Sequence, residues 1–300
     1  MAYRNFEELF SKMEGSAKKK VVLAGAQDAH ALEAVLKAAK EGFIEYLLVG
    51  KPDATVALAY ELGYEISSRE VVQAEDPLQA AILSVDFVRK GEGDFLMKGK
   101  METATLLKQV VDREQGIGTG NLMSHLAIID SPRYHKLLAV SDGGMILYPD
   151  ISQKIGILEN ALEFFRNIGT EKPKVGVMAA VETVNPKMQE TLDGASLKKM
   201  AEEGRWGDCL VEGPISFDLA VSREAAEIKG FESPVAGEVD LMLMPSIAAG
   251  NLTVKALATL GEAKMAGCVL GAKVPVVVPS RGSSLEEKYI SLLLCAAFVS

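Results

Sequence analysis

The sequence predicts an α/β fold with two three-layer αβα domains and mainly parallel sheets. Short apolar runs of strand length alternate with longer segments of helical periodicity along most of the 300 residues. This alternation is typical of parallel sheets with helices on both faces. The length and a hydrophobic content of 48% allow two domains, each with its own core.

The first third of the chain carries the alternation in regular form. Strands are predicted at 21–24, 44–49, near Ile66 and at 94–97, and helices at 5–13, 27–41, 52–62, 76–90 and 102–111. The helix at 76–90 begins with Asp76-Pro77, an N-cap residue followed by a proline suited to the first turn. Glycines 42 and 63 end two of the other helices.

The order changes near the middle of the chain. Apolar runs at 124–130 and 136–140, separated by Ser131-Pro132-Arg133, predict an antiparallel pair. Helices then follow at 151–168, 186–200, 217–226, 251–266 and 284–298, with strands at 175–179, 209–211, 239–244 and 274–278. We therefore predict a first domain of residues 1–140, completed by about 268–300, a second domain of residues 141–267, and an active-site cleft between them.

Composition excludes several classes of function. A net charge of −9 and a pI near 5.1 argue against nucleic acid or an anionic membrane as the main partner. The first ten residues lack a signal-peptide core, and no run approaches the roughly 18 apolar residues of a membrane span. The three cysteines show no metal-ligand spacing, so we expect a cytoplasmic protein without a metal site.

The stretch 276–288 is the strongest candidate for a site. It reads as a buried strand, a polar turn and a helix start, with Ser284 and Glu287 spaced as a capping box. Ser280, Arg281 and Ser283 would then lie with free backbone N–H groups outside the carboxyl end of a strand, where α/β proteins bind anions. Alternatively, Arg281 is a surface ion-pair partner and the serines only cap the helix.

Other polar turns follow predicted strands in the same way. Glu182 and Asn185 follow the strand at 175–179, the run 213–218 follows the next strand, and Pro245-Ser246 follows a third. Asn251 is predicted to cap a helix after Gly250, and Lys255, one turn later, could reach an anion there or be an ordinary surface lysine. If the strands are parallel, these turns share one rim, as expected of an enzyme cleft.

Isolated histidines and cysteines give weaker indications. Each histidine stands singly in the sequence, and a catalytic base normally needs an orienting partner. Cys209 and Cys295 lie in apolar runs, which leaves Cys268, beside Gly267 at a predicted turn, as the one candidate reactive thiol. The glycine-rich segment 116–121 has no preceding strand, so it reads as a loop and not as a dinucleotide site.

Several of these motifs together resemble the phosphate acetyltransferase/phosphate butyryltransferase family. They are GPISFDLAVS at 213–222, SPVAG at 233–237, Pro245, Gly250-Asn251, Lys255, Pro275 and Ser280-Arg281-Gly282. The resemblance is strong over about 175–300 and looser over 1–140. The segment VETVNPKM at 181–188 is closer to the butyryl branch than to the acetyl branch.

The resemblance implies a fold like that of isocitrate and isopropylmalate dehydrogenases, usually in a dimer or higher homo-oligomer. It implies reversible transfer of a short acyl group between coenzyme A and phosphate, with coenzyme A as substrate and no separate cofactor. It places Ser280 and Arg281 on the reacting groups. Either Glu287 or Glu286 takes the position of a proposed acidic base.

In the first domain, the resemblance places Lys108 where the acetyl branch has an arginine, with Lys98 and Lys100 nearby. We expect Lys100 or Lys108, together with Arg281, to bind the anionic substrates. Lysine keeps the charge of arginine but not its planar fork of donors.

Three other readings of the function stay open at this stage. They are a phosphate acetyltransferase, a metal- and NAD-dependent dehydrogenase on the same fold, and an acyl-CoA-binding protein without turnover. The sequence leaves the acyl length undecided.

Overall fold

The computed structural model describes residues 3–13, 15–280 and 282–299. The strands of this part of the chain are β1 (Lys19–Ala24), β2 (Ile44–Gly50), β3 (Val71–Gln73), β4 (Phe95–Lys98), β5 (Ser124–Asp130), β6 (Leu138–Ser141), β7 (Lys174–Met178), β8 (Leu210–Ile215), β9 (Leu241–Leu243), β10 (Lys264–Leu270) and β11 (Val276–Val277).

Several helices of the described residues begin at a side-chain N-cap. The helices of this part of the chain are α1 (Phe6–Ser11), α2 (Ala29–Lys40), α3 (Pro52–Glu61), α4 (Pro77–Arg89), α5 (Thr103–Val110), α6 (Ile151–Asn167), α7 (Gln189–Glu202), α8 (Phe217–Val221), α9 (Arg223–Lys229), α10 (Ile247–Thr259) and α11 (Leu285–Phe298). Asp28 and Asp76 accept backbone hydrogen bonds at the starts of α2 and α4. These side chains satisfy amide groups that a helix start would otherwise leave unpaired.

The chain forms two compact units. Unit A comprises Leu9–Asn121 and Ala266–Ser300, and unit B comprises Met1–Glu8 and Leu122–Met265. The sequence placed the boundary near residue 140, but β6 pairs in parallel with β9 and antiparallel with β5. Both strands of the predicted hairpin therefore belong to the sheet of unit B, and the boundary lies before the hairpin.

Unit A has a sheet in the order β3-β2-β1-β4-β11-β10. Neighbours from β3 to β11 run parallel, and only β10 is antiparallel to its neighbour β11. The core of the sheet is β1, where Val21, Val22, Leu23 and Ala24 have no exposed surface. Helix α11 buries nine residues, among them Leu292, Leu293 and Leu294.

Unit B has the order β5-β6-β9-β7-β8, with parallel pairing from β6 to β8. One apolar cluster extends from Ala127 on β5 through Met242 on β9 to Val254 on α10. The segment before α1 also belongs here, because the Tyr3 hydroxyl donates to the Ile168 carbonyl at 2.5 Å. The prediction of mainly parallel sheets flanked by helices is thus confirmed.

Some predicted elements were wrong in extent. The helix expected at 251–266 is α10, which begins four residues earlier at Ile247, after the N-cap Ser246, and ends at Thr259. The chain turns at Gly261 and at Glu262, whose φ of 55° is left-handed, and then forms β10. Asn251 therefore lies inside the helix and does not cap it.

Two further differences concern the segment 209–229. The predicted turn at Gly213-Pro214 is the end of β8, which tolerates proline because it is an edge strand without a second neighbour to bond. The predicted single helix at 217–226 is two helices. Ser222 adopts an extended conformation between them and caps α9 by accepting from the Ala225 amide.

Candidate active site

The strand order of unit A creates a topological switch point at β1 and β4. From β1 the chain continues to β2 and β3 on one side, whereas β4 pairs with the other side of β1. Ligands of open parallel sheets bind outside the carboxyl ends of strands at such a point. A cavity of about 500 Å³ lies there, lined by Asp28, Pro77, Lys98, Gly99, Lys100, Met101, Glu102, Thr105 and Ser280. We call it the switch-point cavity.

Two lysines bring positive charge to this cavity. Lys98 ends β4 and is only 6% exposed, and its Nζ lies 3.3 Å from both the Gly99 and Met101 carbonyl oxygens. Lys100 follows on the turn and is exposed. A buried ammonium held by carbonyls beside a second, exposed ammonium can bind a phosphate or carboxylate.

Asp28, which lines the cavity, belongs to a partly buried ion pair. The Lys288 ammonium, 3% exposed, donates to the Asp28 carboxylate at 2.6 Å. The same carboxylate oxygen accepts from the Ala31 amide at 2.9 Å and so caps α2. Burial alone would raise the pKa of Asp28, but the hydrogen bonds from Lys288 and the Ala31 amide, together with the charge of Lys98, hold it below its usual value. Asp28 therefore stays ionised at neutral pH.

The polar turn predicted from the sequence meets this cavity at Ser280. The Ser280 carbonyl accepts from the Ser283 amide at 3.1 Å, which closes the turn before α11. Arg281, the central residue of the prediction, lies outside the described residues.

The predicted capping box at the start of α11 forms in part. The Ser284 hydroxyl accepts from the Glu287 amide at 3.1 Å, as a capping box requires. The Glu287 carboxylate instead accepts from the Ser283 hydroxyl at 2.6 Å. This bond orients the predicted acid, and Glu286 lies beside it in the first turn of α11.

Lys108 is not placed with the other predicted residues of unit A. It is exposed in the last turn of α5 and lines neither the switch-point cavity nor the one described next. Thr105, one turn earlier on the same helix, is the residue that faces the switch-point cavity.

A second cavity adjoins the first. It measures about 420 Å³ and is lined by Gly25, Gln27, Gly50, Lys51, Ala54, Ala74, Glu75, Asp76, Pro77, Ala80 and Lys100. These residues follow the carboxyl ends of β1, β2, β3 and β4 or begin the helices after them. We call it the side cavity. It shares Pro77 and Lys100 with the switch-point cavity.

In unit B, Glu182 belongs to a charged cluster after β7 and β8. The Ser216 hydroxyl contacts the carboxylates of Glu182 and Asp218, and the Lys229 ammonium lies 3.1 Å from each carboxylate. The hydrogen bond from Ser216 is the main cause that lowers the pKa of both carboxyls. Both carboxylates are therefore satisfied locally.

The other residues predicted in unit B have separate surroundings. The Asn185 side chain accepts from the Lys187 amide at 3.0 Å, and the Asn251 side chain donates to the Gly143 carbonyl at 3.2 Å. Lys255 is exposed on α10. Their roles in substrate binding, and the predicted cleft, stay predictions.

The thiols do not form a reactive site. Cys268 was predicted at a turn, but it lies within β10 with no exposed surface. It adjoins Cys295, where burial raises the pKa of the Cys295 thiol well above its usual value. All three cysteines are free and buried, so none is a nucleophile in reach of substrate.

Among the residues that the structure describes, no three His, Cys, Asp or Glu side chains converge in a way that could hold a metal ion. No helix in the same part of the chain is both long and apolar enough to cross a membrane.

Sequence reasoning missed Asp28 and Lys288. The rule that selected the other polar turns would have found Gln27-Asp28, because these residues also follow a buried strand. Lys288 gave no such signal, because it lies in the apolar helix α11 and its partner Asp28 is 260 residues away in the sequence.

Comparison with known proteins identifies relatives of this chain. Residues 73–296 match the family model described as "Phosphate acetyl/butaryl transferase". The chain is 40% identical over 293 residues to a phosphate butyryltransferase of Clostridium acetobutylicum, which covers 98% of this chain and 97% of that protein. It is also 40% identical over 293 residues to a phosphate acetyltransferase of Thermotoga maritima, covering 98% and 99%.

Solved structures agree in fold. A branched-chain phosphotransacylase from Enterococcus faecalis V583 superimposes with a TM-score of 0.83 and 31% identity, covering 94% of this chain and 99% of that one. A 4-hydroxythreonine-4-phosphate dehydrogenase from Burkholderia phymatum has the same fold at a TM-score of 0.55 and 13% identity, covering 95% and 99%. That likeness extends to the fold alone.

Proposed function

Because the chain belongs to the Phosphate acetyl/butaryl transferase family, we propose that it transfers a short-chain acyl group reversibly between coenzyme A and inorganic phosphate. The acyl group is butyryl or one of similar length, and the products of the forward reaction are an acyl phosphate and free coenzyme A. The observation that carries the proposal is the switch-point cavity, where Lys98 and Lys100 meet Ser280 at the carboxyl edge of a parallel sheet.

The first task of such a site is to bring two anions together. Phosphate and acyl-CoA are both negatively charged, and the protein itself has a net charge of −9. Lys98, Lys100 and Arg281 supply the local positive charge that offsets this repulsion. Holding both reactants in register removes up to roughly 7–11 kcal/mol of the barrier.

The chemical step is attack of a phosphate oxygen on the thioester carbonyl carbon. The new C–O bond gives a tetrahedral intermediate, whose oxyanion accepts hydrogen bonds from Ser280 or from backbone N–H groups of the turn. One such donor is worth about 3–4 kcal/mol in the transition state. The C–S bond then breaks, and the thiolate of coenzyme A departs with the electron pair.

Glu287 takes the proton that the attacking phosphate gives up and then passes it to the departing thiolate, so that coenzyme A leaves as a thiol. The hydrogen bond from Ser283 keeps the Glu287 carboxylate oriented for this role. The reaction moves no electrons between substrates, so the proposal contains no redox cofactor, and coenzyme A enters as substrate.

The direct test is phosphate-dependent release of free thiol from butyryl-CoA, with acetyl-CoA in parallel and a chelator present. Release that requires phosphate supports acyl transfer, and the faster substrate identifies the branch. Folded protein that binds acyl-CoA but releases no thiol would show a binding protein instead. A nicotinamide absorbance change on addition of metal and hydroxy acids would show a dehydrogenase.

We further propose a homodimer in the cytoplasm. Helix α10 exposes Ala248, Leu252, Ala256 and Leu260 at intervals of one turn, and the two leucines are 68% and 86% exposed. Such an apolar stripe suits contact with a second copy. Light scattering should give twice the chain mass of 32.1 kDa, and Leu252→Lys should lower the measured mass towards that of one chain.

The proposed place in the cytoplasm rests on the cysteines. All three are free, which fits a reducing compartment.

A further inference from the structure

We propose that the side cavity of unit A binds the acyl chain and sets the longest chain that the enzyme accepts. The inference rests on the proposed function, since it assigns a part of the substrate to a place beside the reacting groups. It names Ala54, Ala74 and Ala80 as the residues that determine chain length.

The position of the side cavity fits this role. It adjoins the switch-point cavity through Lys100 and Pro77, which line both. A thioester whose carbonyl carbon meets phosphate near Lys100 and Ser280 therefore has an opening beside it. The remaining substituent of that carbon is the acyl chain.

The lining fits an apolar chain better than a charged group. Apolar atoms form most of the cavity surface, and its walls are small residues. Ala74 and Ala80 are each 2% exposed, so they form the inner wall, whereas Ala54 is exposed at the start of α3. Alkyl groups gain free energy from leaving water for such a surface.

The carboxylates at the rim disfavour the phosphates of coenzyme A as occupants. Asp76 accepts from the Gln79 amide at 2.8 Å, and Glu75 accepts from the Gln73 side chain at 2.6 Å. Both are held in place as acceptors, and neither can donate to a phosphate. Lys51 and Lys100, which also line the cavity, balance these two carboxylates, so the lining has no net charge and the occupant that matches it is neutral.

Gly50 keeps the cavity open. A Cβ at this position would lie 2.6 Å from Oε1 of Gln27 and 3.1 Å from the Ala26 amide nitrogen. Any side chain at residue 50 would therefore push Gln27 from the wall that it forms.

The test is the chain-length profile of Ala54→Leu. We expect kcat/KM for butyryl-CoA and valeryl-CoA to fall at least tenfold, because one methylene in an apolar pocket changes selectivity by about 10–200-fold. Acetyl-CoA should stay within threefold of the wild type, since Ala54 lines the side cavity but not the switch-point cavity where the carbonyl carbon lies. The matched control is Ala57→Leu, an exposed alanine of the same helix that lines neither cavity.

A second variant, Ala80→Val, fills the inner wall and should give the same change of profile. Circular dichroism of each variant checks the fold. Equal losses for all four acyl-CoA substrates, acetyl to valeryl, in folded variants would overturn the assignment while leaving acyl transfer intact. A wild type without phosphate-dependent thiol release would overturn the proposed function and this inference with it.

Discussion

At the scale of single residues, the Asp28–Lys288 pair does more than neutralise charge. Lys288 is the residue after Glu287, and Asp28 follows β1 and lines the switch-point cavity. The pair therefore joins the start of α11 to the start of α2. Because Lys288 is buried, the ammonium has no water to replace its partner.

We predict that Asp28→Asn destabilises the protein by about 2 kcal/mol, less than the 3–5 kcal/mol of a fully buried pair because Asp28 is partly exposed. Asparagine is also a good N-cap residue, so α2 keeps its cap in this variant. The loss of stability therefore measures the contribution of the Asp28 charge. Lys288→Met in the Asp28→Asn background should recover part of it, as measured by chemical denaturation. Equal stabilities of wild type and Asp28→Asn would contradict the prediction.

The same pair has a defined pH dependence. The folded-state pKa of Asp28 lies below its ordinary value of 3.8. The stability that the ionised carboxylate contributes is therefore fully present above that pH and is lost as the pH falls through the folded-state pKa. The stability difference between wild type and Asp28→Asn should therefore be constant near pH 7 and shrink below about pH 4. A difference that grows towards low pH would have the wrong sign for this pair.

Arg281 carries the second prediction at this scale, which rests on the sequence of the turn. We expect Arg281→Ala to lower kcat by about 10²–10³, the usual effect of removing one donor that stabilises transition-state charge. Arg281→Lys keeps the charge and should recover only part of the rate, because lysine lacks the bidentate fork. Near-normal turnover of folded Arg281→Ala would exclude the residue from the reaction.

At the scale of elements, local signals predicted the helices better than the strands of the last third. Asp76-Pro77 and Ser284 each mark a helix start, and the structure places α4 and α11 there. Strand β10 was missed because its alternating apolar residues follow α10 after a short turn and continue an apolar run. Strand β11 has only two residues, since Pro275 and Pro279 flank it.

The candidate site shows the same division between local and distant information. The turn from Ser280 to Glu287 could be predicted, because its strand, caps and charges are contiguous in the sequence. Lys100 and Lys108 were both predicted to bind substrate, but only Lys100 lines the cavities of unit A, and Lys108 lines neither of them. Strand order decides which carboxyl ends meet, and no local pattern in the sequence fixes that order.

The cap of α11 gives the prediction at the element scale. Ser284→Ala should cost about 1 kcal/mol of stability, the usual loss when an N-cap oxygen is removed. Ser284→Asp should retain the stability, since aspartate caps equally well and its charge suits a helix start. The comparison uses urea unfolding midpoints of the three proteins. A loss in the aspartate variant equal to that in the alanine variant would mean that Ser284 does not act as a cap.

At the scale of the whole molecule, the chain path makes unit A depend on its last 35 residues. The chain forms the first part of unit A from Leu9 to Asn121 and then continues into unit B. Only the segment Ala266–Ser300 completes unit A. That last segment supplies β11, which pairs with β4, and α11, which is the longest helix of the unit. It also supplies Ser280 to the switch-point cavity and Lys288 to the ion pair with Asp28.

We predict that a chain ending at Met265 retains neither unit A nor activity. Burial of Ile290 and Leu292–Leu294 alone contributes about 6–12 kcal/mol, at 1.5–3 kcal/mol for each large aliphatic side chain. This is comparable with the whole stability of a typical domain, about 5–15 kcal/mol.

Unit B keeps all its strands β5–β9 in such a chain. Hydrogen exchange should therefore show protection lost over residues 19–110 and kept in β7 and β9, whereas removal of Ser300 alone should change neither. Persistent protection of β1 in the shortened chain would show that residues 9–121 form a stable unit without the C-terminal segment.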